Sequence, residues 1–235
     1  MNIYFLVEGK RTERKVYPKW LSILVPQLTA VKDPHKVTLN NYYLFSGNGF
    51  PSLLNNHLTN SISDVNSIGK FDYFAICLDS DEKSVEERKQ EVIDFMTKKE
   101  IVLDENIKFV LIVQNKCIET WFLGNTKIFK RNPQSFELRE YISFYDVSKQ
   151  DPEDMTNYGS FETTAQFHED YLKELLSERN IQYTKNNPRG VTEQVYLDQL
   201  INRVSKTRHI SSFATFLAFC NEVNSKISAS VGLLR

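Results

Sequence analysis

The chain opens on an uninterrupted apolar run, Ile3-Tyr4-Phe5-Leu6-Val7, that stops at Glu8-Gly9. A short run without polar alternation predicts a strand buried on both faces, as in a parallel sheet. Thr12 is placed to cap a helix over Glu13 to Leu24, where Val16, Trp20, Ile23 and Leu24 recur at helical spacing. Val37 to Phe45 predicts a second strand, closed by the turn Ser46-Gly47-Asn48-Gly49. Pro51 is suited to open a helix through Leu53, Leu54, His57 and Leu58. Asp72 to Leu78 predicts the third strand and ends in Asp79-Ser80-Asp81. Ser84 then caps a charge-laced helix to Lys99 that turns Val85, Val92, Ile93 and Met96 inward. Ile107 to Val113 predicts the fourth strand, and Cys117 to Leu123 a short buried helix. Strands alternating with helices predict an α/β fold: an open, mainly parallel sheet of four or more strands flanked by helices.

Beyond Asn125 the pattern changes, so residues 1–125 read as the α/β domain and 126–235 as a mostly helical appendage. Asn132 to Asn157 is polar and lacks a long apolar period. Helices are expected over Thr164–Arg179, Thr192–Val204 and Ser211–Asn224, the last with a core stripe of Phe213, Phe216, Leu217, Cys220 and Val223.

Composition adds boundaries rather than a function. The chain has 235 residues, 41% hydrophobic and 25% charged, enough to bury a core without disulfides or a structural metal. Cys77, Cys117 and Cys220 are widely spaced and form no CxxC pair, which suits a reducing cytoplasm. No window is apolar enough to span a membrane, and Ile3 to Val7 is too short for a signal-peptide core. The formal charge of −1 excludes a globally basic nucleic-acid coat or a polybasic membrane binder. The charge is unevenly placed, however. Glu137 to Glu178 holds 11 acidic and 3 basic residues, whereas Arg179 to Arg235 holds 8 basic and 3 acidic. Any contact with nucleic acid is therefore local.

In open parallel sheets, ligands bind beyond the carboxyl ends of the strands. Glu8 follows strand one, and Asp79 and Asp81 follow strand three. Carboxylates brought together there would attract Mg²⁺ or Mn²⁺, which prefer oxygen ligands and can activate water or steady a leaving oxygen. The plainer account is that Asp favours turns and helix starts.

Leu6-Val7-Glu8-Gly9-Lys10-Arg11-Thr12-Glu13 resembles the glutamate motif of TOPRIM domains. Leu78-Asp79-Ser80-Asp81 resembles their Asp-x-Asp motif, and Ser46-Gly47-Asn48-Gly49 the glycine turn between them. The closer likeness is to small stand-alone TOPRIM-like proteins of bacterial defence and mobile loci, the RloB-like and OLD-nuclease-related group. Some of these carry a Pro-Phe/Ile-Glu-x-Trp signature after strand four; here Asn115-Lys116-Cys117-Ile118-Glu119-Thr120-Trp121 stands there without the proline. The resemblance covers about residues 1–125. It implies a TOPRIM-like sheet, with Glu8 as metal ligand or general acid/base, Asp79 and Asp81 holding the divalent cation, and Glu119 completing or supporting the acidic ring. It also implies phosphodiester chemistry. The C-terminal part matches no topoisomerase or primase architecture, which leaves a nuclease or nucleotidyl-transfer enzyme.

Supporting residues each have a second reading. Lys10 and Arg11, with Arg14 and Lys15 behind them, can hold phosphates or form a solvated helix face. Gly47 and Gly49 can let backbone approach a phosphate or merely permit a tight turn. Glu119, set among apolar residues, needs a partner or a metal. Lys185, Arg189, Arg203, Lys206, Arg208 and His209 can track phosphates, with Tyr183 or Tyr196 stacking on bases, or can neutralise the acidic stretch.

The leading expectation is a Mg²⁺- or Mn²⁺-dependent nuclease on DNA or RNA. A catalytically silent module that recruits a partner is the alternative. No G-x-x-x-x-G-K-[ST] is present, so the partner could be an ATPase encoded elsewhere. A small phosphorylated substrate is a third reading, and a homodimer is compatible with all of them.

Overall fold

The opening apolar run is β1 (Asn2–Val7), and every one of its residues is buried, as a central parallel strand requires. In the computed structural model, which describes residues 1–232, β1 belongs to one open, all-parallel, five-stranded sheet of Rossmann-like kind. The strand order is β2-β3-β1-β4-β5, with β2 (Thr29–Val31), β3 (Asn41–Ser46), β4 (Tyr73–Asp79) and β5 (Lys108–Gln114). Val7 pairs with Ser46 on one side and Cys77 on the other, so the C-terminal ends of β1, β3 and β4 are in register.

Several local expectations need correction. The edge strand β2 was not foreseen, because three residues are too few to show a period. The second expected strand begins at Asn41 rather than Val37. Pro34–Lys36 forms a 3₁₀ turn, and Thr38 is tied to the Asn41 side chain at 2.7 Å, while Asn41 itself bonds Asn2. The helix expected from Pro51 is instead a π-helical segment, Leu53–Leu58, that runs on into α2 (Thr59–Ile68). The first helix, α1 (Glu13–Leu24), lies where it was expected, but Thr12 makes no side-chain cap.

In α3 (Val85–Lys98), Val92 is buried but Ile93 is 44% exposed. Arg88 takes the inner position one turn before Val92, and Ile93, about 100° further round the helix, faces outward. The segment read as irregular contains α5 (Phe136–Phe144), capped by Ser135 accepting from the Leu138 N–H at 3.1 Å. Only Leu138 and Tyr141 are buried on it, too little for a visible period. The remaining helices are α4 (Ile118–Phe122), α6 (Thr164–Ser177), α7 (Gln194–Thr207) and α8 (Ser211–Gly232). Among the described residues no helix is long and apolar enough to cross a membrane.

The chain forms two compact units. The first comprises Met1–Leu78, Glu86–Val113 and the residues from Thr215 onward; the second comprises Asp79–Val85 and Gln114–Ala214. The core of the first is aromatic: Phe216 meets Tyr17 edge-on at 5.3 Å, and Phe219 meets Phe5 at 6.0 Å and Tyr73 at 5.4 Å. In the second, Phe167 is fully buried among Tyr141, Tyr158 and Tyr171. There the buried Glu153 takes hydrogen bonds from Ser211 and from both the N–H and hydroxyl of Ser212, holding the first turn of α8.

Candidate functional site

In the first unit, the turn after β3 is fastened to the end of β1. Gly47 donates its N–H to the Val7 carbonyl at 2.8 Å, and Gly49 to that of Glu8 at 2.9 Å. The Glu8 N–H donates to the Cys77 carbonyl at 2.8 Å, and its Oε1 accepts from Phe50 at 3.2 Å. Glu8 is thus positioned by three strands at once. Gly49 has φ +91°, a left-handed setting that suits glycine. Gly47 is constrained by space, since a Cβ there would lie 2.6 Å from Leu53 Cβ. Gly9 donates to Glu13 Oε1 at 3.1 Å, so the acid that opens α1 turns back over the strand end. Lys10 and Arg11 are exposed on that connection.

One residue here was missed. Arg88 is 3% exposed, sits 3.9 Å from the centre of the Phe50 ring and pairs with Glu91 at 3.0 Å. It braces the turn that bonds Glu8. In the sequence it looks like one more charge on a solvated helix face, and no spacing marks it.

In the second unit, the Asp79-Ser80-Asp81 turn is stitched to the segment before α4. Ser80 and Asp81 donate their N–H groups to the carbonyls of Gln114 and Lys116, both at 2.9 Å, and Lys116 returns its N–H to Ser80 Oγ at 2.8 Å. Asp81 and Lys116 both have positive φ, +53° and +67°, so two tight turns face each other. Asp tolerates such a setting better than most residues. The segment leads into α4, where Cys117 and Thr120 exchange backbone and side-chain bonds at the helix start.

Glu119 is 1% exposed. Its Oε1 accepts from the Tyr183 hydroxyl at 2.8 Å, and Lys185 Nζ lies 3.9 Å away while pairing with Glu169 at 3.1 Å. Burial alone would lower the Lys185 ammonium, but the Glu119 and Glu169 carboxylates outweigh it and hold it above its ordinary range. The Cys117 thiol is pushed well up by burial and further by the charges of Glu119 and Asp79. Asp79 and Glu119 therefore act on the same thiol. Asp79, Asp81, Glu119 and Lys185 belong to the second unit, and Glu8, Gly47 and Gly49 to the first.

The basic C-terminal stretch does not form one surface. Tyr183 and Tyr196 are 4% and 5% exposed, with their hydroxyls committed to Glu119 and the Phe122 carbonyl, so neither can stack on a base. Lys185 neutralises the buried Glu119 and the partly exposed Glu169. Arg203 is buried, with its guanidinium bonded to the carbonyls of Val147, Ser148 and Gln150 and to His209 Nδ1.

Among the described residues, no three His, Cys, Asp or Glu side chains gather in a way that would hold a metal ion. Asp79 is the last residue of β4, and Asp81 stands two residues further on in the turn. No protein-family model, curated protein or solved structure matches the chain.

Proposed function

We propose that this chain is a divalent-metal-dependent phosphodiester enzyme acting on nucleic acid, DNA or RNA. The observation that carries the reading is the register of the sheet. Val7 lies opposite Cys77; Glu8 follows the C-terminal end of β1 and Asp79 is the last residue of the neighbouring parallel strand β4, and α/β sheets bind their ligands at such ends.

Carboxylate oxygens suit Mg²⁺ or Mn²⁺, which prefer oxygen ligands. Mg²⁺ keeps several waters and binds through one or two carboxylates plus substrate phosphates, rather than in an all-protein cage. Asp79 and Asp81 would supply those two carboxylates. An ion held there would supply charge neutralisation at a phosphate and acidify a nearby water. Glu8, fixed through its backbone and its Oε1, serves as ligand or general acid/base. Lys10 and Arg11 supply exposed positive charge for phosphate. A reducing cytoplasm fits the three buried, free thiols.

Purified protein incubated with supercoiled plasmid and with labelled RNA should cleave one of them in Mg²⁺ or Mn²⁺ and neither in EDTA. Glu8→Gln and Asp79→Asn should each lower the rate by about 100-fold or more without shifting the melting temperature. Cleavage that survives both changes rejects the reading. Glu119, occupied by Tyr183 and facing Lys185, favours a second one: a catalytically silent module that recruits a partner such as a separate ATPase. That reading predicts no heat of Mn²⁺ binding in calorimetry.

A further inference from the structure

Two cavities in the second unit adjoin along a groove, sharing Thr126, Ser148 and Lys149, with volumes of about 820 and 260 Å³. Lys130, Arg131 and Arg139 line the larger part, and Lys127, Arg203 and Lys206 the smaller, with Lys149 common to both. The only carboxylate among the lining residues is Asp146, paired with Lys149 at 2.8 Å. Lys130 pairs with Glu178 at 3.1 Å, while Arg139 and Arg203 donate to backbone carbonyls. Lys127, Arg131 and Lys206 are exposed and form no ion pair with a described carboxylate.

Lys130 and Lys149 are ion-paired, which leaves five of the seven lining cations without an ion-paired carboxylate among the described residues, in a chain whose total charge is −1. Such crowding raises the self-energy of the fold and draws counter-ions, and a polyanion relieves it. A single phosphate would be held by a compact nest of donors; here the cations are spread along two joined cavities. A membrane surface would favour an amphipathic face with apolar anchors, whereas this surface is concave. Gln199 and Asn202 add amide groups that can bond sugar or phosphate oxygens.

We propose that this groove docks the sugar–phosphate backbone of a nucleic acid, without reading its sequence. The inference deepens the nucleic-acid reading above and rests on it for the identity of the polyanion.

The test is fluorescence anisotropy of the full chain with a 5′-fluorescein single-stranded RNA, its DNA counterpart and the matching duplex, in EDTA, across a salt series. The comparison is the triple variant Lys127→Glu, Arg131→Glu, Lys206→Glu, with Lys→Gln and Arg→Gln versions as a milder form. All three side chains are exposed, so circular dichroism and melting should match the wild type. The triple charge reversal should weaken binding by about 30-fold or more and reduce the salt slope by roughly two to three, close to one per lost phosphate contact. Unchanged affinity and slope overturn the proposal. So does a wild-type chain that binds phosphatidylserine vesicles but none of the oligonucleotides. An Asp79→Asn variant separates the two claims, because it should lose cleavage and keep binding. Wild type that binds through this groove yet never cleaves rejects the phosphodiester reading and leaves the groove standing.

Discussion

Gly47 illustrates what one position can demand. Its N–H fastens the turn after β3 to Val7, and its missing side chain leaves room for the Leu53 backbone, 2.8 Å from where a Cβ would stand. Gly47→Ala must move that backbone, so it should destabilise the chain by about 1–3 kcal/mol in urea titration and loosen the turn that bonds Glu8. The contact with Leu53 was invisible in the sequence, where Gly47 and Gly49 looked equivalent. Gly49 answers to its φ of +91° and has open space around it, so the same substitution there acts through backbone strain alone. Arg88 teaches a similar lesson: a buried guanidinium over Phe50 has no sequence signature, because only the fold decides which face of α3 is inward.

At the scale of elements, α4 matters most. It is a five-residue helix, too short to be stable by itself, and it is held by what it buries. Its apolar run Ile118 to Phe122 was readable, as was the need of Glu119 for a partner. That the partners would be Tyr183 and Lys185, more than sixty residues away, was not, since nothing local links those positions. Tyr183→Phe leaves the buried carboxylate without its hydroxyl donor and should cost about 1–3 kcal/mol. Lys185→Met should cost less, because Lys185 is half-exposed and stands 3.9 Å from Glu119. Urea unfolding of the two variants checks the order; a larger loss for Lys185→Met would mean that charge, not the hydroxyl, holds Glu119.

At the scale of the whole molecule, pH dependence is the most direct consequence. His168 is fully buried, and its Nε2 faces the Met155 carbonyl, which can only accept. Nε2 therefore carries the proton, and Nδ1 accepts from the Thr120 hydroxyl at 2.8 Å. Burial is the main reason the imidazole pKa falls from 6.5 to about 3. The unfolded chain takes up a proton near pH 6.5 that the folded chain refuses, so stability is full above that pH and is lost as pH falls toward 3. By pH 5 this one group should have removed about 2 kcal/mol. Chemical denaturation between pH 7 and 5 should show that decline, and His168→Gln should flatten it; an unchanged pH slope in the variant would place the sensitivity elsewhere.

What the sequence determined by itself was the succession of the four longer strands and the helices between them, and the positions of Glu8, Asp79 and Asp81 at strand ends. Both follow from local periodicity and from the turn residues that interrupt it. Charge segregation was also legible, but its meaning was not. The acidic stretch supplies Arg139 and Lys149 to the basic groove, while the basic stretch sends Lys185 to neutralise Glu119 and Glu169. Tertiary structure alone decided those pairings, because charge acts across a few ångströms of space whatever the distance along the chain.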